Sequence, residues 1–438
     1  MEIDQRFKTI CQGLSYEGLG VCKIEDIIVF VSNLLPDEEA EIIITDIKKS
    51  FAYGEAIERN RDSFKRIEPE CPKYFECGGC DVSHMNNELK TAVKYDNVKN
   101  NFKKQGIKLD LINNIEETDK YGYRSKVVMH ALNQKNKVVI GPYRKGSYEI
   151  AANNCLMLND EGMKLHDFIV ELVNRYYLKA YDYKTKTGIL RDIVYRRNNR
   201  NEFMIIFVVS KNSEILERIA EELKSNPLVV SIIININMGN RKQILSNNNK
   251  IIYGTSTLMY EIEEIKCMVS PNSYFQINTS VMKKMYDIIK EHVSENESVL
   301  DAYSGVGSIT LYLASKVKSI VGIELSKSSY QDAIVNKDLN NLHNVRFING
   351  DVGDEVSKLN LEFDVVITDP PRSGCSKKFL DFIIKNKFKK IVYMSCSSST
   401  LARDLKFLED YYILKKAYVF DMFAHTAHSE SLVILESK

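Results

Sequence analysis

The sequence has no apolar run close to the roughly 20 residues that a membrane-spanning helix requires, so no contact with a membrane is predicted. It has no large excess of either charge, because 60 Lys and Arg residues are balanced by 59 Asp and Glu residues. Only local clusters of basic residues can therefore indicate an anionic partner. Residues 1–8 lack the basic and then apolar order of a signal peptide. These absences predict a soluble cytoplasmic protein, whose cysteines are more often reduced, metal-bound or catalytic than disulfide-bonded.

No internal repeat or low-complexity tract divides the 438 residues, which are too many for one compact core. Changes in pattern predict three regions, an all-β region over 1–59, a mixed region over 60–260 and an alternating α/β region over 261–438. Short strands with glycine turns in the first region predict a small β-barrel, although another small β-domain fits the same alternation. These strands are Leu14–Val21, Ile27–Val31, Glu41–Asp46 and Gly54–Glu58.

The mixed region contains a probable helix around 86–104 and then a stretch, 120–148, without any acidic residue. Basic residues in this stretch alternate with Tyr121, Tyr123, Tyr143 and Tyr148. Basic side chains neutralise phosphates and aromatic rings stack on unpaired bases, so the stretch suits RNA. A solvated strand face with tyrosines in the core explains the pattern equally well.

Three cysteines lie close together in Cys71-Pro-Lys-Tyr-Phe-Glu-Cys77-Gly-Gly-Cys80. A fourth ligand would complete a tetrathiolate site for zinc or for an iron–sulfur cluster, and spacing does not choose between them. Cys155, which follows the basic stretch, is the best candidate for that ligand. The alternative is a chance grouping of reduced thiols.

The last region alternates strands and helices, as expected for a doubly wound sheet. Strands are predicted at 298–303, 319–325, 345–350, 363–369 and 390–396, with two more at 411–421 and 430–436. The first five end on Asp301, Glu324, Asp351, Asp369 and Cys396 or beside them. Ligands of such sheets bind beyond the carboxyl ends of the strands, so these side chains are expected in one crevice.

The first of these strands leads into a turn with only Gly305 and Gly307, which lacks the third glycine of the dinucleotide-binding pattern. Glu324, about 20 residues further on, is suited to accept hydrogen bonds from ribose hydroxyls, and Asp351 could contact an adenine edge. A nicotinamide cofactor would use similar acids. The pattern favours S-adenosylmethionine, which has no pyrophosphate to bind, over that cofactor and over a chance arrangement.

Cys396 ends a predicted strand just before a helix starting near Thr400, whose amino end is expected to lower the pKa of the thiol. A thiolate, a nearby Asp369-Pro-Pro-Arg372 turn and a separate base, for which Glu430 is the candidate, suit methylation of a pyrimidine at C5 through a covalent adduct. A buried and inert cysteine is the alternative. Cys375 lies beyond the turn and is interpreted as incidental. The histidines of His425-Thr-Ala-His428 argue only weakly for a metal.

The chain resembles the RNA uracil-5 methyltransferases over essentially its full length, in particular the bacterial enzymes that modify 23S ribosomal RNA. The motifs that carry this resemblance are Phe275-Gln-Ile-Asn278, Leu401-Ala-Arg-Asp404 and the segment 421–431, Asp-Met-Phe-Ala-His-Thr-Ala-His-Ser-Glu-Ser. The resemblance implies a multidomain α/β fold: a TRAM domain, which is an OB-type barrel, a mixed α+β middle domain and a Rossmann-like methyltransferase domain. It also implies that a helical stretch within 93–124 packs on the catalytic domain.

The same resemblance implies a role for each matching residue. Cys396 falls on the nucleophile and Glu430 on the base. Contacts with S-adenosylmethionine are implied at Gln276, Tyr303, Glu324, Asp351 and Asp369. Ligation of a [4Fe–4S] cluster is implied for Cys71, Cys77, Cys80 and Cys155, which favours iron–sulfur over zinc.

The chain departs from the family where Ser397-Ser398 replace the usual Asn-Pro after the nucleophile, so the rigidity of this loop and its contacts with uracil are in question. Because the transfer-RNA branch generally lacks the barrel and the cluster, the resemblance favours a uridine of 23S RNA, bound by a monomer. Other hypotheses are a transfer-RNA uracil-5 methyltransferase and a non-catalytic RNA-binding or ribosome-assembly protein. A radical S-adenosylmethionine enzyme is disfavoured by the fourth cysteine.

Overall fold

The computed structural model describes residues 1–108, 112–113, 120–359 and 362–438. The first region forms an OB-type barrel from a six-stranded sheet of order β1-β5-β6-β4-β3-β2. Alternate residues such as Val29, Val31, Ile42 and Ile44 point inward and are fully buried. The strands are β1 Arg6–Ile10, β2 Gly13–Leu14, β3 Gly20–Ile24, β4 Ile27–Ser32, β5 Glu39–Ile47 and β6 Phe51–Arg61.

Helix α1, Asn87–Lys104, follows the cysteine-containing loop and matches the helix predicted around 86–104. The Asn86 side chain accepts a hydrogen bond from the Leu89 amide and so caps the helix. Val98 and Phe102 are buried in a core shared with the C-terminal sheet. Strand β7, Ile112–Asn113, pairs with that sheet. Of the stretch 93–124, residues 109–111 and 114–119 lie outside the described residues.

The middle region is a six-stranded sheet of order β13-β12-β11-β10-β8-β9 that is covered by two helices and followed by a hairpin. Its central strand β11 is buried on both faces because helices cover one side and the C-terminal region the other. The elements are β8 Lys126–Gln134, β9 Lys137–Gly141, α2 Asp160–Arg175, β10 Leu190–Arg197, β11 Phe203–Val209, α3 Glu214–Leu223, β12 Val229–Ile236, β13 Asn249–Gly254, β14 Leu258–Ile262 and β15 Ile265–Val269.

The C-terminal region is a Rossmann-like sheet of order β18-β17-β16-β19-β20-β22-β21-β7. Strands β16 to β20 are parallel, whereas β22 runs antiparallel to both of its neighbours. The order reverses between β16 and β19, which opens a crevice there. The elements are α4 Thr279–Glu291, β16 Ser298–Ala302, α5 Ser308–Leu313, β17 Ser319–Glu324, α6 Lys327–Leu339, β18 Val345–Asn349, α7 Val352–Glu355, β19 Val365–Thr368, α8 Lys377–Asn386, β20 Lys390–Ser395, α9 Ser398–Leu408, β21 Tyr412–Phe420 and β22 Glu430–Ser437.

None of the helices in the described residues has the length and apolar character needed to cross a bilayer. In α3 the apolar residues form one buried stripe, which consists of Leu216, Ile219, Ala220 and Leu223.

An ion pair between Lys94 on α1 and Asp421 joins this helix to the segment before β22. The Lys94 side chain is almost fully buried, and its Nζ donates to Asp421 Oδ1 at 2.5 Å and to the Phe423 carbonyl at 3.0 Å. We expect Lys94→Met to lower the free energy of unfolding by about 3–5 kcal/mol, because the Asp421 carboxylate would lose its partner. Urea denaturation followed by circular dichroism measures the change.

The double variant Lys94→Met, Asp421→Leu is the control for this prediction. Replacing both charges by apolar side chains leaves no unpaired ion, so most of the lost stability should return. Equal destabilisation of the single and double variants would contradict the prediction.

Candidate active site

A cavity of ≈1190 Å³ opens beyond the carboxyl ends of β16 and β19, where the strand order reverses. Its volume exceeds the ~300–1,000 Å³ of a typical small-molecule site, and so can hold a cofactor together with a base. Every cofactor and catalytic residue predicted from the sequence lines this cavity: Gln276, Tyr303, Glu324, Asp351, Asp369, Cys396 and Glu430. The structure therefore brings together residues that lie up to 154 positions apart in the chain (430 − 276).

Glu324 ends β17 and holds the glycine turn after β16. Its carboxylate accepts hydrogen bonds from the Gly305 amide at 2.9 Å and from the Ser326 amide at 2.6 Å. Gly305 and Gly307 both have positive φ, and nothing lies within 4 Å of where a Cβ on Gly305 would stand. The turn therefore leaves space beside a fixed carboxylate, which fits the ribose of S-adenosylmethionine.

Asp301 does not line this cavity, contrary to the expectation that all the strand-end acids share one crevice. It lies inside β16, is fully buried, and accepts a hydrogen bond from the Thr310 hydroxyl at 2.5 Å. Burial raises the pKa of its carboxyl group to about 7. Asp301 therefore joins β16 to α5 behind the glycine turn, because it pairs with Gly322 inside the sheet, two residues below the level of Glu324.

Gln276 and Asp369 meet at the middle of the cavity. The amide Nε2 of Gln276 donates to Asp369 Oδ2 at 3.2 Å, and the Tyr274 hydroxyl donates to Gln276 Oε1 at 3.1 Å. Burial raises the pKa of Asp369 to about 6, and the hydrogen bond from Gln276 opposes this rise. Tyr274, which is 61% exposed, was not singled out from the sequence, although it directly precedes the recognised segment Phe275-Gln-Ile-Asn278.

Cys396 directly follows β20, and Glu430 begins the neighbouring strand β22, where Ser395 pairs with Ser431. Cys396 is half-buried and Glu430 is 3% exposed. Burial, with Asp369 nearby, raises the pKa of Glu430 well above its ordinary value. An exposed Arg372 side chain lies close enough to lower the pKa values of both groups.

The expected fall in the pKa of Cys396 was wrong. Burial, together with the carboxylates of Glu430 and Asp369, raises the pKa of this thiol to about 11, and Arg372 offsets only part of that effect. Helix α9 does begin nearby, at Ser398 rather than near Thr400. However, Cys396 faces two acids across the cavity, and these favour the neutral thiol.

The serines that replace Asn-Pro after Cys396 are fixed by hydrogen bonds. The Ser397 amide donates to Ser395 Oγ at 3.1 Å, and the Thr400 hydroxyl donates to the Ser397 carbonyl at 3.1 Å. Asn101 of helix α1 donates to Ser398 Oγ at 2.8 Å. Side-chain hydrogen bonds thus supply at this turn the restraint that a proline ring would otherwise give.

Cys375 is buried against Thr368 and Tyr393, and burial raises its pKa to about 12. Its amide donates to Asp404 Oδ2 at 2.9 Å, and the Tyr393 hydroxyl donates to the same oxygen at 2.6 Å. Asp404, from the Leu401-Ala-Arg-Asp motif, therefore anchors the turn after the Asp-Pro-Pro-Arg segment.

The four predicted cluster cysteines line a second cavity, of ≈560 Å³, next to the basic stretch: Cys71, Cys77, Cys80 and Cys155. Within the ranges that the structure describes, no three His, Cys, Asp or Glu side chains converge tightly enough to hold a metal ion. The donor set itself, four thiols facing one space, has the composition of a tetrathiolate site.

His425 is a structural residue, so the histidine pair does not form a metal site. Its Nδ1 is 2.9 Å from Ser83 Oγ, its Nε2 contacts the Lys120 carbonyl, and its ring stacks on Tyr121 with the ring centroids 4.5 Å apart. Its carbonyl accepts a hydrogen bond from the Asp81 amide at 2.8 Å. The cysteine loop and the segment that leads to Glu430 are therefore joined directly.

The basic stretch has mixed roles in the structure. Tyr123 is buried, Tyr143 stacks on His130 with centroids 3.7 Å apart, and Arg144 pairs with Glu76 at 2.8 Å. Tyr148, in contrast, is 58% exposed. Part of the pattern thus reflects packing around the cysteine loop, as the alternative explanation anticipated.

Comparison with known proteins agrees with this architecture. The family model described as tRNA (Uracil-5-)-methyltransferase matches residues 128–438, and the TRAM domain model matches residues 10–57. An RNA methyltransferase of Oceanobacillus iheyensis is 35% identical over 442 residues, covering 98% of this chain and 95% of that protein. One from Fusobacterium nucleatum is 33% identical over 434 residues, covering 96% and 93%.

A solved structure shares the fold over the whole length. It is that of the Pyrococcus abyssi tRNA (uracil-54, C5)-methyltransferase in complex with S-adenosyl-L-homocysteine. Its TM-score is 0.80, and the match covers 98% of this chain and 99% of that one at 23% identity. At this identity the likeness establishes the fold.

The Rossmann-like sheet with its acid-lined cavity, together with the TRAM barrel, defines an S-adenosylmethionine-dependent RNA methyltransferase. The chain belongs to the RNA (uracil-5-)-methyltransferase family. The predicted fold class and enzyme class are thereby confirmed.

Proposed function

We propose that this enzyme methylates C5 of a uridine in 23S ribosomal RNA through a covalent bond between Cys396 and C6 of the base. The observation that carries the proposal is the presence of a thiol and a buried carboxyl group in the cavity that holds the cofactor acids. A single chain supplies all of these groups, which supports a monomer as the active form.

In the proposed reaction the Cys396 sulfur adds to C6, and the thiol proton leaves to water. S-adenosylmethionine would supply an electrophilic methyl group, and C5 of the enolate would bond to that methyl as its bond to the sulfonium sulfur breaks and S-adenosyl-L-homocysteine leaves. Glu430 then takes the C5 proton, the double bond between C5 and C6 returns, and the bond to Cys396 breaks. Gln276 and Asp369 orient the reactants, since both line the cavity and a hydrogen bond fixes their side chains to each other.

The raised pKa values of the free enzyme have a consequence for this sequence of steps. Burial beside acids raises the pKa values of both Cys396 and Glu430, which favours the neutral form of each group. A sulfonium charge in the cavity would lower the pKa of both groups. The cofactor charge thus supports formation of the thiolate and of the base together.

We also propose that Cys71, Cys77, Cys80 and Cys155 hold a [4Fe–4S] cluster that braces the RNA-binding surface. A four-iron cluster is larger than one ion, so ligands that line a common cavity without converging on a point suit it better than zinc. The methylation steps require no electron, which makes a structural role sufficient. A Cys77→Ser protein that keeps its fold and RNA affinity would contradict this role.

The substrate is tested by tritium release from RNA labelled at uridine C5, since methylation at C5 expels that hydrogen. Wild-type enzyme should release tritium from 23S RNA only when S-adenosylmethionine is present, and mapping of the product should give a single class of modified uridine. The four cysteines support 23S RNA by resemblance, whereas the barrel does not distinguish 23S RNA from transfer RNA.

Transfer RNA is the second candidate substrate, because the Pyrococcus abyssi tRNA enzyme shares the full-length fold, barrel included. The same tritium-release assay on unmodified transfer RNA distinguishes between the two candidate substrates. Release from transfer RNA alone would overturn the 23S proposal and leave the chemistry intact. Release from neither RNA would favour a protein that only binds RNA.

We expect the single-turnover rate constant to rise with pH between 6 and 9. The reaction needs the Cys396 thiolate, and the pKa of this thiol is raised to about 11, so the ionised fraction grows up to about tenfold per pH unit in this range. Rapid-quench measurements at cofactor and RNA concentrations well below saturation give the profile, because they report the pKa values of the free enzyme. A rate constant that falls or stays flat over the same range would contradict the assignment.

A further inference from the structure

A third cavity, of ≈490 Å³, lies between the barrel, the cysteine loop and the segment before Glu430. The barrel contributes Glu17, Phe30 and Tyr53 to its lining, the middle region Asp81 and Lys145, and the catalytic region His428. The proposed methylation uses none of these side chains. The cavity therefore needs an explanation of its own.

The walls of this cavity are held together by close packing at Gly18. This glycine has a φ of +79°, and a Cβ added there would stand 2.9 Å from Val82 Cγ1 and 3.7 Å from Ala427 Cβ. The barrel turn thus lies directly on the loop after Cys80 and on the segment that leads to Glu430. The three walls form a single built site with fixed spacing.

One wall of the cavity carries aromatic rings. Phe30 on β4 and Tyr53 on β6 are paired in register, with ring centroids 6.0 Å apart, and Phe51 lies 5.5 Å from each of them. All three side chains are partly exposed. Aromatic rings on the strands of an OB-type barrel are platforms on which unpaired bases stack.

The polar groups of the cavity carry both signs of charge. The carboxylates of Glu17 and Asp81 can only accept hydrogen bonds when ionised, whereas the Lys145 ammonium can contact a phosphate. Carboxylates accept well from the exocyclic amino group of a base and repel the carbonyl oxygen that uracil has at the same position. The carboxylates of the walls therefore favour a base with an exocyclic amino group over uracil.

The cavity lies beside the active site. His428 lines it and is two residues from Glu430, a separation of at most ~7 Å along an extended chain. Adjacent nucleotides of a strand are ~3.4 Å apart when stacked and further apart when one base is turned out. A nucleotide in this cavity is thus close to the target in the RNA sequence.

We propose that this cavity binds a nucleotide flanking the target uridine and selects a base that has an exocyclic amino group. The base stacks on Tyr53 and Phe30 and donates to Glu17 or Asp81, while Lys145 contacts its phosphate. This inference rests on the proposed function, since it assigns the neighbour of the methylated uridine. It makes the barrel a determinant of sequence specificity.

The test measures binding of fluorescent single-stranded RNAs by anisotropy, using full-length protein with Cys396→Ala so that no adduct forms. The RNAs carry one uridine target and vary the base on each side of it in turn. On one side, an amino-bearing base should bind about tenfold more tightly than uracil. Glu17→Gln and Asp81→Asn should reduce this preference to less than about threefold while strengthening binding of every RNA, because a repelling charge is lost.

Glu58→Gln is the matched control, because Glu58 is exposed on the same strand as Tyr53 but lies outside the cavity. It should strengthen binding of all the RNAs slightly and leave the preference unchanged. Tyr53→Leu should weaken binding about tenfold for every flanking base.

Equal affinity for all four flanking bases, or a preference that survives in both acid variants, overturns the inference. Tritium release by the enzyme with Cys396 intact separates this failure from failure of the proposed function. Release without a flanking preference refutes the cavity assignment alone. A preference without release refutes C5 methylation and leaves the cavity assignment standing.

Discussion

Replacing Glu430 by Gln is expected to leave methylated RNA attached to the enzyme through Cys396. Glutamine has nearly the same shape as glutamate but does not accept a proton from carbon, so addition and methyl transfer still occur and elimination stops. Loss of a general base slows its step by roughly 10²–10⁴-fold. Labelled RNA should therefore accumulate as a protein adduct that survives denaturing electrophoresis and requires S-adenosylmethionine.

Glu324→Gln is the matched control, since it neutralises an acid of the same cavity at the cofactor end. This variant should raise the KM for S-adenosylmethionine and should not accumulate adduct. A second control, Glu430→Gln combined with Cys396→Ala, should form no adduct. Rapid turnover by Glu430→Gln would instead assign the base to another group.

Replacing Cys396 by Ala is expected to reduce turnover by on the order of 10⁴-fold or more, since no other step activates C5. Binding of cofactor and RNA should change little, because the thiol supplies a small part of either contact. Single-turnover rates and isothermal titration calorimetry with S-adenosyl-L-homocysteine measure the two properties separately.

Cys375→Ala is the matched control for Cys396→Ala, because Cys375 is a second thiol that lines the cavity. Cys375 is 6% exposed and packs between Thr368 and Tyr393, so its replacement should cost stability and leave the rate constant nearly unchanged. Loss of activity in Cys375→Ala, with Cys396→Ala active, would reverse the assignment of the nucleophile.

Strands β16 to β20 of the catalytic sheet could be predicted within two residues, because each is a short apolar run that is bounded by a polar residue and a helix. The predicted strand 298–303 is β16, Ser298–Ala302, and 390–396 is β20, Lys390–Ser395. β1 was overlooked because Arg6–Ile10 is mostly exposed and has no apolar face to mark it. The local sequence pattern thus identified buried strands better than exposed edge strands.

The residues of the cavity were identified from strand ends and motifs, but their environment was not. The pKa of Cys396 depends on Asp369 and Glu430, which reach it only when β19, β20 and β22 align. Asp301 similarly follows the same sequence pattern as Glu324 but lies inside the sheet beside Gly322, where its carboxylate accepts a hydrogen bond from Thr310. The distances between these side chains and the depth of each in the sheet depend on the tertiary fold, so the local sequence did not predict them.

During translation, helix α1 is synthesised long before the C-terminal sheet against which it packs. Lys94 and Asp421 are 327 residues apart, so a ribosome adding ~5–20 residues per second makes the partner about 15 to 65 s after the lysine. During that interval the apolar side chains of Val98 and Phe102 await the sheet that will bury them. The nascent chain therefore exposes the apolar side chains of this helix well before the catalytic domain is complete. Chaperones that bind exposed apolar segments are expected to bind it during that time.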